Sequence, residues 1–142
     1  MSVERTTSAE RADADTPSVL VRGGLAVALA TLVNAGLVVG ASSLGVAPGF
    51  RPLTVPPVAF LSALGAAGAA AVYWLANRYA TDADRTFVRV AVGVLLLSFV
   101  PDAALLVSDP AATPLAVAVL AAMHVVVAAA SVWLLVYWRA DR

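Results

Sequence analysis

Leu95-Leu96-Leu97-Ser98-Phe99-Val100-Pro101-Asp102 sets a proline and a carboxylate inside a run, Phe87 to Val107, that is otherwise apolar apart from Arg89 near its start. A helix of about 20 apolar residues is what the hydrocarbon core of a bilayer requires. An acid inside one is costly enough to mark a functional or structural pivot. Pro101 removes a helical donor and crowds the carbonyl four residues back, on Leu97, so a kink and a freed carbonyl are expected. The plainer alternative is that Pro101 and Asp102 end the helix near the headgroups, with Ala103 to Val107 lying along the interface.

The rest of the chain fits the membrane reading of that stretch. Of its 142 residues 61% are hydrophobic and 13% charged, and the mean hydropathy is +0.90, too apolar for a soluble domain of this size. The formal net charge is zero and no basic block stands outside loops and termini, which excludes a nucleic-acid footprint. With no cysteine there is no disulfide, thiolate metal site or cysteine nucleophile.

Four apolar runs predict helices over about 20–46, 58–77, 86–107 and 115–137, within a transmembrane domain spanning 20–138. Residues 1–19 are polar, mixed in charge sign and without apolar period, and are expected to form a disordered tail. The first run is too long for a signal-peptide core and follows an acidic rather than a basic segment, so it is read as a spanning helix. Ala47 to Pro57 is dense in Pro and Gly and must be a loop, with Pro57 suited to the first turn of helix two. Thr81 and Asp84 stand at capping-box spacing before helix three. Residues 108–114 form a second short turn, and 139–142 follow the last helix. The expected fold is an all-α, up-down four-helix integral membrane bundle.

Arginine placement gives orientation. Arg5, Arg11, Arg22, Arg78, Arg85, Arg89, Arg139 and Arg142 fall on one side and Arg51 alone on the other. The positive-inside rule then puts both termini in the cytoplasm, in a multi-pass cell-membrane protein. Tyr73, Trp74, Tyr79, Trp133, Tyr137 and Trp138 cluster toward that same end, as an interfacial belt does.

Each helix also carries a narrow stripe of small or polar residues. At 100° per residue, Gly23, Ala30, Asn34 and Ala41 align in helix one, and Ser62, Ala66, Ala69 and Tyr73 in helix two. Ala91, Ser98 and Asp102 align in helix three, and Ala121, His124, Ala128 and Ser131 in helix four. Such stripes serve as packing seams. At 1.5 Å per residue Asn34, Ser98 and His124 each lie roughly 14–16 Å below the outer surface, with Ser62 and Asp102 one turn nearer the outside. An intramembrane polar cluster of Asn34, Ser62, Ser98, Pro101, Asp102 and His124 is therefore expected. His124 reads either as neutral interhelical glue or as a proton-linked partner of Asp102. One His, one Asp and one Asn are too few ligands for a closed metal site, and no cofactor is implied. Gly36 and Gly40 form a GxxxG opposite Asn34, a candidate seam for a homo-oligomer.

The chain resembles a family of small prokaryotic four-helix membrane proteins known only as a domain of unknown function. The resemblance rests on Pro56-Pro57-Val58 with Leu64-Gly65 and Gly68-Ala69, on Asp84-Arg85-Thr86-Phe87-Val88-Arg89-Val90-Ala91, on Leu97-Ser98-Phe99-Val100-Pro101-Asp102, and on Met123-His124-Val125. It covers about Leu20 to Tyr137 and implies the four-helix topology without an activity. It also draws attention to Asp84, Arg85 and Arg89 at the start of helix three, whose plainer reading is capping plus cytoplasmic charge. A non-enzymatic scaffold, regulator or subunit asks no more of these residues than they show. The alternative is a small proton-coupled transporter or carrier using Asp102 and His124. An enzyme has no hydrolase, zincin or paired-carboxylate motif behind it, and no catalytic residue is assigned. The bilayer is the one partner the sequence names; a soluble partner is not legible.

Overall fold

In a computed structural model the chain forms four helices and no strand among the described residues, which are 3–46 and 48–138, with side chains from 18 onward. The helices are α1 (Val3–Ser43), α2 (Val55–Tyr79), α3 (Ala83–Ser108) and α4 (Pro114–Val132), the last continued by a π-helical turn over Trp133–Tyr137. The expected tail over 1–19 lies, save for Ser18 and Val19, outside the residues described with side chains, and the C-terminal segment 139–142 lies outside the described residues altogether. Each helix is long and apolar enough to cross a membrane, α1 over Ser18–Ser43.

Their ends follow from local chemistry. α1 stops at Ser43, short of the expected residue 46, because Gly45 takes a positive φ of 68° that residues with a side chain rarely adopt. The Val46 amide then bonds the Ala41 carbonyl at 2.9 Å and the Gly45 amide bonds Ser42 at 3.1 Å, the paired bonds of a Schellman cap. α2 opens on Val55 with Pro56 and Pro57 in its first turn, where the missing donors cost nothing. Thr113 caps α4 by accepting from the Ala116 amide at 3.1 Å. The cap of α3 differs from the expected Thr81–Asp84 box. Asp82 is the N-cap and accepts from the Arg85 amide at 3.0 Å, which starts the helix one residue beyond it and turns Asp84 toward the bundle.

The helices stand in a ring in chain order, with α1 and α3 opposite and α2 and α4 approaching across the other diagonal. α1 and α2 form the most intimate pair. A Cβ added to Gly23 would lie 2.7 Å from the Ala70 Cβ, so the two backbones meet as closely as glycine permits. The middle of the bundle is built from small side chains, Ala26, Ala30, Ala66 and Ala130, closed by Leu134. Large apolar residues such as Leu32, Phe60, Leu96 and Val107 face outward. In water that surface would be a severe liability; against hydrocarbon it is neutral, and close approach of small residues supplies the packing.

The loop after α1 takes part in the core. Around a 3-10 turn at Arg51–Leu53, Phe50 and Leu53 are buried against Val38, Ala41, Val58, Ala116, Leu120 and Met123, plugging that end between α1, α2 and α4. At the opposite end Val19, Tyr73, Phe87, Leu135 and Val136 form a second cluster, with the Tyr73 and Phe87 rings edge-to-face at a centroid distance of 5.2 Å. α3 is held at its ends and little between them: 6% of its spanning window is buried, against 22 to 33% in the other three helices.

Candidate functional site

That loose middle of α3 leaves a cleft of about 840 Å³ between α2 and α3, with α4 as its floor. Leu61 and Leu64 on α2 and Val90 and Val94 on α3 line it and are themselves exposed, so they form the two rims of a mouth on the bundle's apolar surface. Gly65 and Gly68 keep the α2 wall shallow. All six residues of the expected polar cluster, Asn34, Ser62, Ser98, Pro101, Asp102 and His124, line this one cleft.

They do not form one hydrogen-bonded cluster. Asn34, 1% exposed, donates from Nδ2 to the Ser62 hydroxyl at 2.8 Å and to the Met123 carbonyl at 3.2 Å, tying α1 to α2 and α4. Since a carbonyl only accepts, the amide orientation is settled and Oδ1 is left over, buried and without a partner. His124 and Asp102 form a separate pair across α4 and α3, with Nδ1 3.1 Å from Oδ2. The same Nδ1 lies 3.0 Å from the Leu120 carbonyl, one turn back on its own helix. The contact with hydrogen-bond geometry is the one to Leu120, so Asp102 stands at ion-pair distance and its Oδ2 is buried without an aligned donor. The Asp102 side chain is 9% exposed and that of His124 40%.

Ser98 turns back to its own backbone, donating to the Leu95 carbonyl at 2.6 Å. That bond tightens the turn just before Pro101, which offers no amide to Leu97. The helix nonetheless continues to Ser108, so the alternative in which Pro101 and Asp102 end it is set aside. One polar lining residue was not among the expected six although its helical stripe contained it: Ser131, buried, with an unpartnered Oγ. Its distance from Asn34 and His124 along the helix hid it, since depth alone assigned it to another layer.

The start of α3 holds a second arrangement. Asp84 accepts from the Tyr73 hydroxyl at 2.8 Å, joining α3 to α2. Arg22 of α1 stacks over the Tyr73 ring, 5.5 Å from its centroid, and donates from Nη1 to the Leu135 carbonyl at 2.6 Å in the π-turn of α4. Four helices thus meet at one node. Arg85 pairs only with its own cap, Asp82, at 3.5 Å on the exposed surface, and Arg89 is exposed. Sequence spacing placed Asp84 in a cap, Arg22 in the charge bias, and Tyr73 in the belt and the inward stripe of helix two. Gly36 and Gly40 face outward with open space around them.

A family of unknown function, DUF6069, matches residues 14–141. The chain belongs to DUF6069. No curated protein and no solved structure matches the chain. Membership therefore brings the DUF6069 chain a family without an activity, and its chemistry has to be argued from the cleft. Among its described residues no three His, Cys, Asp or Glu side chains gather as a metal site would require.

Proposed function

We propose that this DUF6069 protein is a multi-pass protein of a prokaryotic cell membrane, with both termini in the cytoplasm, that works without catalysis as a binding subunit or regulator. On this reading the cleft between α2 and α3 admits a small amphipathic molecule from the bilayer. The observation that carries the proposal is a laterally open apolar cleft of about 840 Å³ among whose lining residues three have a buried oxygen without a hydrogen-bond partner, Asn34 Oδ1, Asp102 Oδ2 and Ser131 Oγ. A purely structural polar layer would satisfy its members, because each unmet buried group costs about 1–3 kcal/mol. The volume lies in the range of small-molecule sites. The non-catalytic part of the reading rests on the sequence, which lacks cysteine and any hydrolase or zincin motif.

The test is photo-crosslinking of the full chain in nanodiscs with a diazirine-bearing decylamine. Labelled peptides are expected on the facing walls of α2 and α3. Gly68 lines the cleft and a Cβ there meets nothing within 4 Å, so Gly68→Phe is expected to occupy part of the cleft and labelling to fall. Labelling spread evenly over the outer faces and indifferent to Gly68→Phe would refute the binding role. Orientation is tested separately by single cysteines, simple in a cysteine-free chain: Arg51→Cys and Asp109→Cys must react from outside, Asp82→Cys from inside.

A second reading, a proton-coupled carrier, is favoured by the 3.1 Å approach of His124 to Asp102 at the cleft wall. It requires solute-dependent proton movement in proteoliposomes that Asp102→Asn abolishes; binding without such flux leaves the first reading standing and removes this one.

A further inference from the structure

We infer that the polar end of the molecule held in this cleft is a protonated amine carrying N–H donors; this rests on the binding role proposed above and names its ligand class. Asn34 and Asp102 line the cleft; Asn34 Oδ1 is buried with no hydrogen-bond partner, and Asp102 Oδ2 is buried with only His124 Nδ1, 3.1 Å away and out of hydrogen-bond alignment. Both are acceptors. Ser98 spends its hydroxyl proton on the Leu95 carbonyl and turns only lone pairs to other groups. His124 Nδ1 stands between two acceptors, the Leu120 carbonyl at 3.0 Å and Asp102 at 3.1 Å, so its donor is directed at groups of the protein itself. Among the described lining hydroxyls Ser131 has no partner and Ser62 only accepts, from Asn34, so these two keep a proton to give; Ser131 sits two helical turns from His124.

Charge points the same way. Among the described residues no arginine lines the cleft; Arg22 is engaged with Leu135 and Tyr73 at the other end of the bundle from the Phe50–Leu53 plug. A carboxylate with 9% of its side chain exposed therefore belongs to the cleft lining with the His124 imidazole, 3.1 Å away, beside it and no arginine among the described lining residues. Buried charge is tolerated when paired and hydrogen-bonded, and an ammonium supplies both at once, up to three donors and the counter-charge. An alcohol meets one acceptor and no charge. A quaternary ammonium brings charge without donors, and an anion is repelled by Asp102. The remaining lining, Leu61, Leu64, Val90, Val94 and Leu95, is apolar, so the amine has a hydrocarbon body, which a bare inorganic cation lacks.

The experiment sets unlabelled competitors against the diazirine-bearing decylamine in nanodiscs containing the full chain. n-Decylamine is expected to displace the probe at concentrations about tenfold or more below those of n-decyltrimethylammonium, 1-decanol or ethylamine, with decanoate weakest. Asp102→Asn, nearly isosteric, is expected to raise the decylamine concentration required by about tenfold or more and to leave 1-decanol unchanged. The competitor series on the unaltered chain needs no variant, so a folding defect in Asp102→Asn does not blunt the test. If 1-decanol or decyltrimethylammonium matches decylamine, the amine inference falls and the cleft remains a binding site of other specificity. If ethylamine matches it, the site takes a small cation and the inference also falls. If no competitor displaces the probe and Gly68→Phe leaves labelling unchanged, the binding role itself is lost.

Discussion

The Arg22 guanidinium donates from Nη1 to the carbonyl of Leu135 at 2.6 Å, across a separation of 113 residues. The acceptor belongs to the π-turn that ends α4, where backbone carbonyls lack helical partners and the helix dipole favours a cation. Through its stacking on Tyr73, and that residue's bond to Asp84, the contact joins all four helices at one end.

Removal of that guanidinium is expected to be felt globally. Arg22→Ala should lower the stability of the folded bundle in detergent by about 1.5–3 kcal/mol, the range for a hydrogen bond to a charged group. Arg22→Lys should recover only part, since an ammonium lacks the planar fork that stacks and donates together. The measurement is unfolding by a denaturing detergent titrated into a mild one. A wild-type transition for Arg22→Ala would mean the node is decorative.

Tyr73 separates two contributions. Tyr73→Phe loses one hydroxyl bond to Asp84, 2.8 Å in the native bundle, and is expected to cost about 1 kcal/mol. Tyr73→Ala also removes the ring packed edge-on to Phe87 and is expected to cost about 3–5 kcal/mol. Equal effects of the two substitutions in the same titration would contradict this partition.

Adjacent glycines should respond in opposite directions. At Gly23 an added Cβ would stand 2.7 Å from Ala70 Cβ, an atom fixed to its backbone, so Gly23→Ala forces α1 and α2 apart at about 1–3 kcal/mol. Gly24 has nothing within 4 Å of the same position, and Gly24→Ala is expected to stabilise by about 0.5–1 kcal/mol through helix propensity. Melting of the two variants side by side is the check.

The Asn34–Ser62 bond is measurable by a double-mutant cycle. Asn34→Ala and Ser62→Ala, singly and together, should give a coupling energy of about 0.6–1.7 kcal/mol, as found for interhelical bonds in membranes. Zero coupling would show that the 2.8 Å contact contributes nothing net.

At the start of α3 the two candidate caps give different outcomes. Asp82→Ala should cost about 0.5–2 kcal/mol, because the Arg85 amide loses its acceptor at 3.0 Å, and Thr81→Ala should be silent. The reverse order would restore the Thr81–Asp84 box.

Much of this molecule is written in local patterns. Hydropathy over 18 or more residues marks four helices, Gly45 and the prolines at 56, 57 and 114 punctuate them, and 100° spacing picks out Asn34, Ser62, Asp102 and His124 as facing one another. Those properties depend only on neighbours in the chain. Angular position on a helix, however, says nothing about how far its partner stands or at what height a given pair meets. Phe50 and Leu53 read as loop and are core, because a connection folded back over the bundle end buries what its own hydropathy leaves open.

What the sequence determined alone is therefore the number of helices, the residues that turn inward and the apolar exterior, each set by side-chain chemistry and the fixed pitch of the helix. Tertiary structure decided the rest. Glycine at position 23 lets α1 and α2 close up, while α3 is tied at its start by Asp84, approaches α4 again at Asp102 and stands off between them. That difference in spacing opens the cleft, commits Asn34 to Ser62 and Met123 in place of His124, and leaves buried oxygens of Asn34, Asp102 and Ser131 without a hydrogen-bond partner in its wall. Distances between helices arise from the packing of all four at once, which no single stretch of the chain contains.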